Sequence, residues 1–292
     1  GGGQNKPGMG AILARHRGPT TPTGLPTYVR GNGILGDGPA WLGRSYAPFD
    51  VTGKARENMT LRGTLDKLED RKGLLHSFDT FDRDMDKSGL VAGLDSFESQ
   101  ALDIVVGKAK EIFDIKNEDP KTRERYGKGL GEQLLLARRL CESGVGFVTV
   151  NFGGWDMHGK IGDAMKRLGP VVDNAVSAFA QDCAERGLSE NILLVVTGEF
   201  GRTPRINNNA GRDHWAPLST LALSGGGLKM GQTVGESTAK AEVPKSKPVG
   251  PQDLMATVFH VLGLPADLHY TDPTGRPVPM LDGGKAVPEL VG

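Results

Sequence analysis

Cysteine is nearly missing from this chain, which has two in 292 residues, Cys141 and Cys183. Each sits inside a segment that reads as helix, so a disulfide framework is excluded, the redox compartment stays open, and both thiols are expected as small buried side chains. Net charge is missing as well. Lys plus Arg and Asp plus Glu both count 35, so no global field draws the chain to nucleic acid or an anionic membrane, and nucleic acid is not expected as a partner. No apolar run reaches the length of a membrane span, so no transmembrane segment is expected. Residues 1–10 hold neither a signal peptide nor an initiator, the first methionine being Met9. The expectation is therefore a chain that starts inside a longer protein, whose export signal is not in this sequence.

What is present is ordinary for a globular protein. The chain is 37% hydrophobic and 24% charged, and its length permits one large domain or two small ones around a sizeable core. Residues 1–60 are dense in Gly and Pro, with turn signals at Gly38-Pro39 and Ala47-Pro48-Phe49; they cannot sustain helical periodicity and read as ordered loop or surface arm. The pattern changes at Leu61. Leu61, Leu65, Leu68, Leu74, Phe78 and Phe81 recur at three- and four-residue steps, the stripe of an amphipathic helix, and a second helix is expected over about 94–113. Residues 61–118 are thus a helical segment at the head of one α/β domain spanning 61–292.

Pro120 opens a third helix whose Leu130, Leu134, Ala137 and Cys141 share a face and which stops at Gly144, where a left-handed cap is easy. The β-branched run at 147–152 reads as a strand turned by Gly153-Gly154. A helix follows over about 161–186, and then 192–197, apolar on both faces, reads as a central parallel strand. Strand, helix and strand compose a βαβ unit. A third strand is expected at 219–223 and a last helix at 251–262, closed by Gly263. The fold class implied is α/β, a mostly parallel sheet sandwiched by helices.

In open parallel sheets ligands bind beyond the carboxyl ends of the strands. Both convincing strands end in polar, Gly-rich loops, Gly153-Gly154-Trp155-Asp156-Met157-His158-Gly159 and Thr197-Gly198-Glu199-Phe200-Gly201-Arg202-Thr203-Pro204-Arg205, and Gly211-Arg212-Asp213-His214-Trp215 follows. Asp156 and His158, two residues apart on an irregular loop, can point at one centre as a carboxylate–imidazole pair suited to a divalent metal, with His214 as third ligand. The bland alternative is that Asp156 caps the next segment and each histidine bonds backbone. Glu199 should sit at the rim, either ligating metal or pairing with Arg202 or Arg205. Arg202 is the better placed of the two arginines to grip a phosphate or sulfate through its planar fork. Asp84 through Asp95 has calcium-loop spacing but ends in Asp where Glu is usual, and a solvated acidic break in a helix explains it equally. His16, His76, His260 and His269 have no partner cluster and read as structural.

These residues resemble the alkaline-phosphatase-like superfamily and, within it, the domain of unknown function 1501. Leu135-Leu136-Ala137-Arg138-Arg139-Leu140, Gly154-Trp155-Asp156-Met157-His158, Gly198-Glu199-Phe200-Gly201-Arg202-Thr203-Pro204 and Gly211-Arg212-Asp213-His214-Trp215 occur in that family's order. The likeness extends through Pro251-Gln252-Asp253-Leu254 to Gly275-Arg276-Pro277. It implies an alkaline-phosphatase-like fold lacking its N-terminal strands and a metal-dependent hydrolase of phosphate or sulfate esters. Asp156, His158 and His214 look like ligands to zinc, with manganese and calcium as alternatives, and Glu199 and Arg202 look catalytic. Phe200 stands where the superfamily has a ligating His, which implies one well-formed site and a weaker carboxylate site at Glu199. The nucleophile is not in this chain, and the sulfatase signature Cys-x-Pro-x-Arg does not occur. The expected partner is a small anionic ester, a sulfated carbohydrate among them, and the expected location is periplasmic or secreted. The rival is a non-catalytic anion- or sugar-binding protein on the same fold.

Overall fold

The computed structural model describes residues 6–34, 36–51, 109–246 and 248–292. The helix expected over 61–81, the calcium-like stretch at 84–95 and His76 lie outside these residues. Of the helix expected over 94–113, the described part, α2 (Ala109–Phe113), is helical. The chain divides into two compact units, residues 1–117, 139–151 and 270–277, and residues 118–138, 152–269 and 278–292.

In the first unit, helix α1 (Met9–Arg17) buries Ala11, Ile12, Leu13 and Ala14, and each buried Ile or Leu contributes about 1.5–3 kcal/mol relative to exposure. Strands β1 (Tyr28–Arg30), β2 (Phe49–Asp50) and β3 (Phe147–Thr149) form a parallel sheet in the order β2-β1-β3. Val29, fully buried, stands opposite both Phe49 and Val148. A Cβ on Gly10 of α1 would lie 2.5 Å from the Tyr28 ring, so only glycine lets the helix settle on that side chain. Arg30 ties the strand to its loops through Asp37 at 3.0 Å and Asp50 at 3.1 Å. The described part of 1–60 is therefore more than the loop or arm expected from its glycines and prolines. Those residues forbid long periodic elements, but a short helix and two- or three-residue strands are too brief to register as periodicity.

In the second unit, α3 (Pro120–Tyr126) starts at Asp119, whose carboxylate accepts from the Thr122 amide at 2.9 Å. Helix α4 (Leu130–Glu142) follows, in this unit up to Arg138. The single helix expected from Pro120 to Gly144 is thus two, broken where Gly127 and Gly129 take positive φ of 72° and 66°. Helix α5 (Ile161–Glu185) buries Leu168, Ala175, Ala178, Phe179, Asp182 and Cys183, a stripe at helical spacing. Cys183 is buried and Cys141 half-buried, and neither is joined in a disulfide.

An ion network sits at the centre of this unit. Arg138, 1% exposed, donates Nε to Asp182 at 2.8 Å and Nη2 to Glu118. Arg186 reaches the same two carboxylates at 2.7 and 2.9 Å, and the Tyr126 hydroxyl donates to Asp182 at 3.0 Å. Burial and the adjoining Asp182 carboxylate push the Tyr126 phenol far above its ordinary range.

The βαβ expectation is corrected by the strand pairing. Strand β4 (Leu193–Val196) pairs antiparallel with β7 (Ala222–Gly225), Leu194 facing Ser224 and Val195 facing Leu223, whereas β3 belongs to the parallel sheet. Beta-4 is half-buried along its length. Apolarity on both faces reports burial but carries no information about the direction of a neighbouring strand, and that is where the expectation failed. Helix α6 (Pro251–Leu262) runs as expected and ends at Gly263 with φ of 64°. The architecture is mixed α/β, with a small parallel sheet and short antiparallel pairs.

Candidate metal centre

Two loops of the second unit are joined by their backbones. The Arg202–His214 neighbourhood is a hairpin in which β5 (Gly201–Arg202) pairs antiparallel with β6 (His214–Trp215), and Arg202 stands directly opposite His214. Between the strands the chain folds on itself. The Thr203 amide donates to the Asp213 carbonyl at 2.9 Å, the Asn207 amide to the Gly211 carbonyl at 2.9 Å, and the Asp213 amide to Thr203 Oγ1 at 3.1 Å. Arg212 Nη1 caps the Thr203 and Pro204 carbonyls at 2.6 and 2.8 Å.

The loop from Gly153 to Lys160 docks on this hairpin. The Arg212 amide donates to the Met157 carbonyl at 3.0 Å, the Lys160 amide to Asn209 at 3.0 Å, and the Ile161 amide to Ala210 at 2.8 Å. Gly211 makes the approach possible, since a Cβ there would lie 2.1 Å from the His158 carbonyl carbon. Lys160 turns through a left-handed φ of 48° just before α5 begins, which re-aims the chain after Asp156 and His158 have been presented.

The side chains so placed converge. Asp156 Oδ1 lies 3.0 Å from His158 Nε2 and 2.9 Å from His214 Nε2, and the two Nε2 atoms are 3.2 Å apart. Arg202 Nη1 is 2.9 Å from the same Asp156 oxygen, although its N–H is not directed at it, so the contact is an ion pair rather than an aligned hydrogen bond. Behind the trio, His158 Nδ1 meets Asp213 Oδ1 at 2.7 Å, and Asn207 Nδ2 donates to both Asp213 oxygens at 3.1 and 3.2 Å. The Phe200 ring lies against His214 with centroids 4.3 Å apart, and the Arg202 guanidinium stands 5.7 Å from the Phe200 centroid. The trio is open to solvent, with Asp156 68%, His158 48% and His214 51% exposed.

The electrostatics follow these contacts. The Asp156 carboxyl is pushed down to about 2, first by His214 and then by Arg202. The His158 imidazole is raised above its ordinary value, chiefly by its bond to Asp213. The Asp213 carboxyl is lowered by His158 and then by Asn207.

The donor set fits a divalent cation. A tetrahedral ion with bonds of about 2.05 Å keeps its ligand atoms about 3.3 Å apart, and an octahedral one at about 2.1 Å keeps them about 3.0 Å apart. Two of the observed edges, 3.0 and 3.2 Å, fall in that span and the third, 2.9 Å, lies just below it, and two imidazoles with one carboxylate suit zinc and related ions. Among the described residues these three are the group of histidine and acidic side chains that meets in this way.

Asp156, His158 and His214 are thus brought together as the sequence suggested, and Arg202 joins them. Glu199 is not brought in: it is exposed and stands outside the trio. Its place directly after β4 suggested a ligand, but the loop turns Phe200 toward His214 instead. Arg205 is exposed, and His16, His260 and His269 join no such group among the described residues. Asp213, Asn207 and the tilted ring contact of Phe200 went unread; the one available signal was an acid directly adjoining His214.

The family model described as "Protein of unknown function (DUF1501)" matches residues 2–291. No curated protein and no solved structure matches the chain.

Proposed function

Because the chain belongs to the DUF1501 family, whose description assigns no chemistry, function has to be argued from the site, and we propose a metal-dependent hydrolase of phosphate or sulfate esters. The observation that carries this reading is the convergence of His158 Nε2, His214 Nε2 and Asp156 Oδ1 within 3.2 Å of one another. These residues would hold one divalent cation, zinc in the first place, with manganese or calcium as alternatives. A cation there supplies Lewis-acid polarisation of an ester oxygen.

The chain's own residues supply the rest. Asp156 is exposed and its carboxyl is lowered further by His214 and Arg202, so it keeps its charge for the cation. Arg202, fixed by the hairpin register beside Asp156, offers a guanidinium to the equatorial oxygens of an anionic ester, where charge builds in the transition state. Glu199, exposed on the same loop, is available at the rim to orient water. None of Asp156, His158 or His214 can both hold the cation and attack the ester, so the nucleophile is water or a side chain from elsewhere in the protein. The resemblance of Asp156, His158 and His214 to the ligand positions of the alkaline-phosphatase-like superfamily supports ester hydrolysis as the reaction class.

The test is metal content and turnover together. Protein expressed from its complete gene, stripped with chelator and reloaded, should retain about one zinc per chain and release nitrophenol from a nitrophenyl phosphate or sulfate, and His214→Ala should lose both. Failure to bind any divalent metal would overturn the reading. Stoichiometric metal without turnover of either ester favours the non-catalytic anion-binding alternative.

A further inference from the structure

We infer that Asp213 is a positioning residue of this centre, holding His158 in the one tautomer whose Nε2 lone pair faces Asp156 and His214. The inference rests on the reading of those three residues as ligands and adds a residue to it.

A neutral imidazole carries one N–H. Asp213 Oδ1, 2.7 Å from His158 Nδ1, accepts that hydrogen and leaves Nε2 bare. The opposite tautomer would set the Nδ1 lone pair against a carboxylate oxygen at 2.7 Å and could donate Nε2–H only to atoms that are farther, Asp156 Oδ1 at 3.0 Å, already shared with Arg202 and His214, and His214 Nε2 at 3.2 Å. A carboxylate behind a ligating histidine fixes the ring and raises its basicity, and losing such a partner typically weakens metal binding 10- to 100-fold.

Asp213 is itself held. Asn207 Oδ1 accepts from the amides of Asn209 and Gly211 at 3.0 and 2.9 Å, so the amide orientation is set and Nδ2 must face Asp213, where it contacts both oxygens. The backbone of Asp213 is pinned at both its N–H and its C=O by Thr203. With its oxygens engaged by His158 and Asn207, Asp213 serves the centre through His158 rather than as a fourth ligand. The hairpin therefore delivers His214 as a ligand and the preceding residue as support for a ligand on the other loop.

Long-range proton–nitrogen NMR of the metal-free protein above pH 8 reads the tautomer, and chelator competition with zinc chloride reads affinity. The wild type should show His158 as the Nδ1–H tautomer. Asp213→Ala and Asp213→Asn should shift it toward Nε2–H and weaken zinc 10- to 100-fold, with circular dichroism unchanged. Arg212→Leu loosens the same hairpin by removing the cap on the Thr203 and Pro204 carbonyls, leaves the bonds of Asp213 in place, and should leave the tautomer as it is. An unchanged His158 tautomer in both Asp213 variants, or zinc affinity within twofold of wild type, would overturn the inference. So would equal loss in Arg212→Leu. If the wild type takes up no zinc but the Asp213 variants still switch the tautomer, the assignment of Asp213 to His158 stands and the metal reading fails.

Discussion

Arg202 and His214 are cross-strand partners in a two-residue register, and both reach one atom, Asp156 Oδ1, at 2.9 Å. One carboxylate oxygen on a neighbouring loop is thereby shared between a permanent cation and an imidazole that can ligate metal. Arginine cannot be deprotonated at any working pH, so it lowers the negative charge that Asp156 presents to a metal while offering donors to an anion.

Arg202→Ala should therefore separate the two roles. Zinc affinity is expected to hold or rise slightly, while inhibition by inorganic phosphate or sulfate weakens by about tenfold or more, as fits loss of a charge-assisted contact of about 1.5–3 kcal/mol. Chelator competition and inhibition of ester hydrolysis measure the two effects separately. Zinc affinity falling in step with anion affinity would contradict this division.

The stability of the site depends on pH with opposite signs in the two states. In the metal-free protein the His158 pKa is raised above its unfolded value, so its contribution is fully present below about pH 6.5 and is lost as pH rises through the folded value. With zinc, protons compete for His158, so the zinc-induced rise in Tm should grow with pH over the same window. His158→Gln should flatten both trends in thermal scans between pH 5.5 and 8.5.

Arg138→Ala should cost about 3–5 kcal/mol in urea unfolding, because it leaves Asp182 and Glu118 as poorly compensated buried carboxylates. Their side chains are 2% and 8% exposed, so water cannot replace the guanidinium. The same variant should leave zinc affinity within a few-fold, because its role lies in the core.

Gly211→Ala tests the seam between the two loops. The added methyl would meet the His158 carbonyl at close to 2 Å, so the loops must part, and the expected result is loss of zinc binding with a destabilisation of about 1–3 kcal/mol. An alanine protein with wild-type zinc affinity would show that the contact is not needed.

Part of this site was legible because its signals are local. Gly-rich loops after apolar runs mark strand ends, and Asp156 with His158 is a ligand-like pair at short spacing. Helices α5 and α6 were legible because their periodicity and Gly caps lie within their own spans. Asp213 was not, because its role is set by a bond to a histidine 55 positions away. Which of Glu199 and Phe200 faces His214 was not legible for a related reason: adjacency to a strand end says which residues reach the rim but not which one the loop turns inward.

The sequence by itself determined the mixed α/β character, the boundaries of α5 and α6 to within a residue or so, and the residue types that could ligate a cation, since composition, caps and periodicity act over a few residues. Only the tertiary structure decided that β4 runs antiparallel to β7, that Arg138 is a core ion rather than a surface one, and that Asp213 stands behind His158. Those outcomes depend on which distant segments meet, and a backbone seam that admits nothing larger than Gly211 is a property of the folded loops that no local pattern encodes.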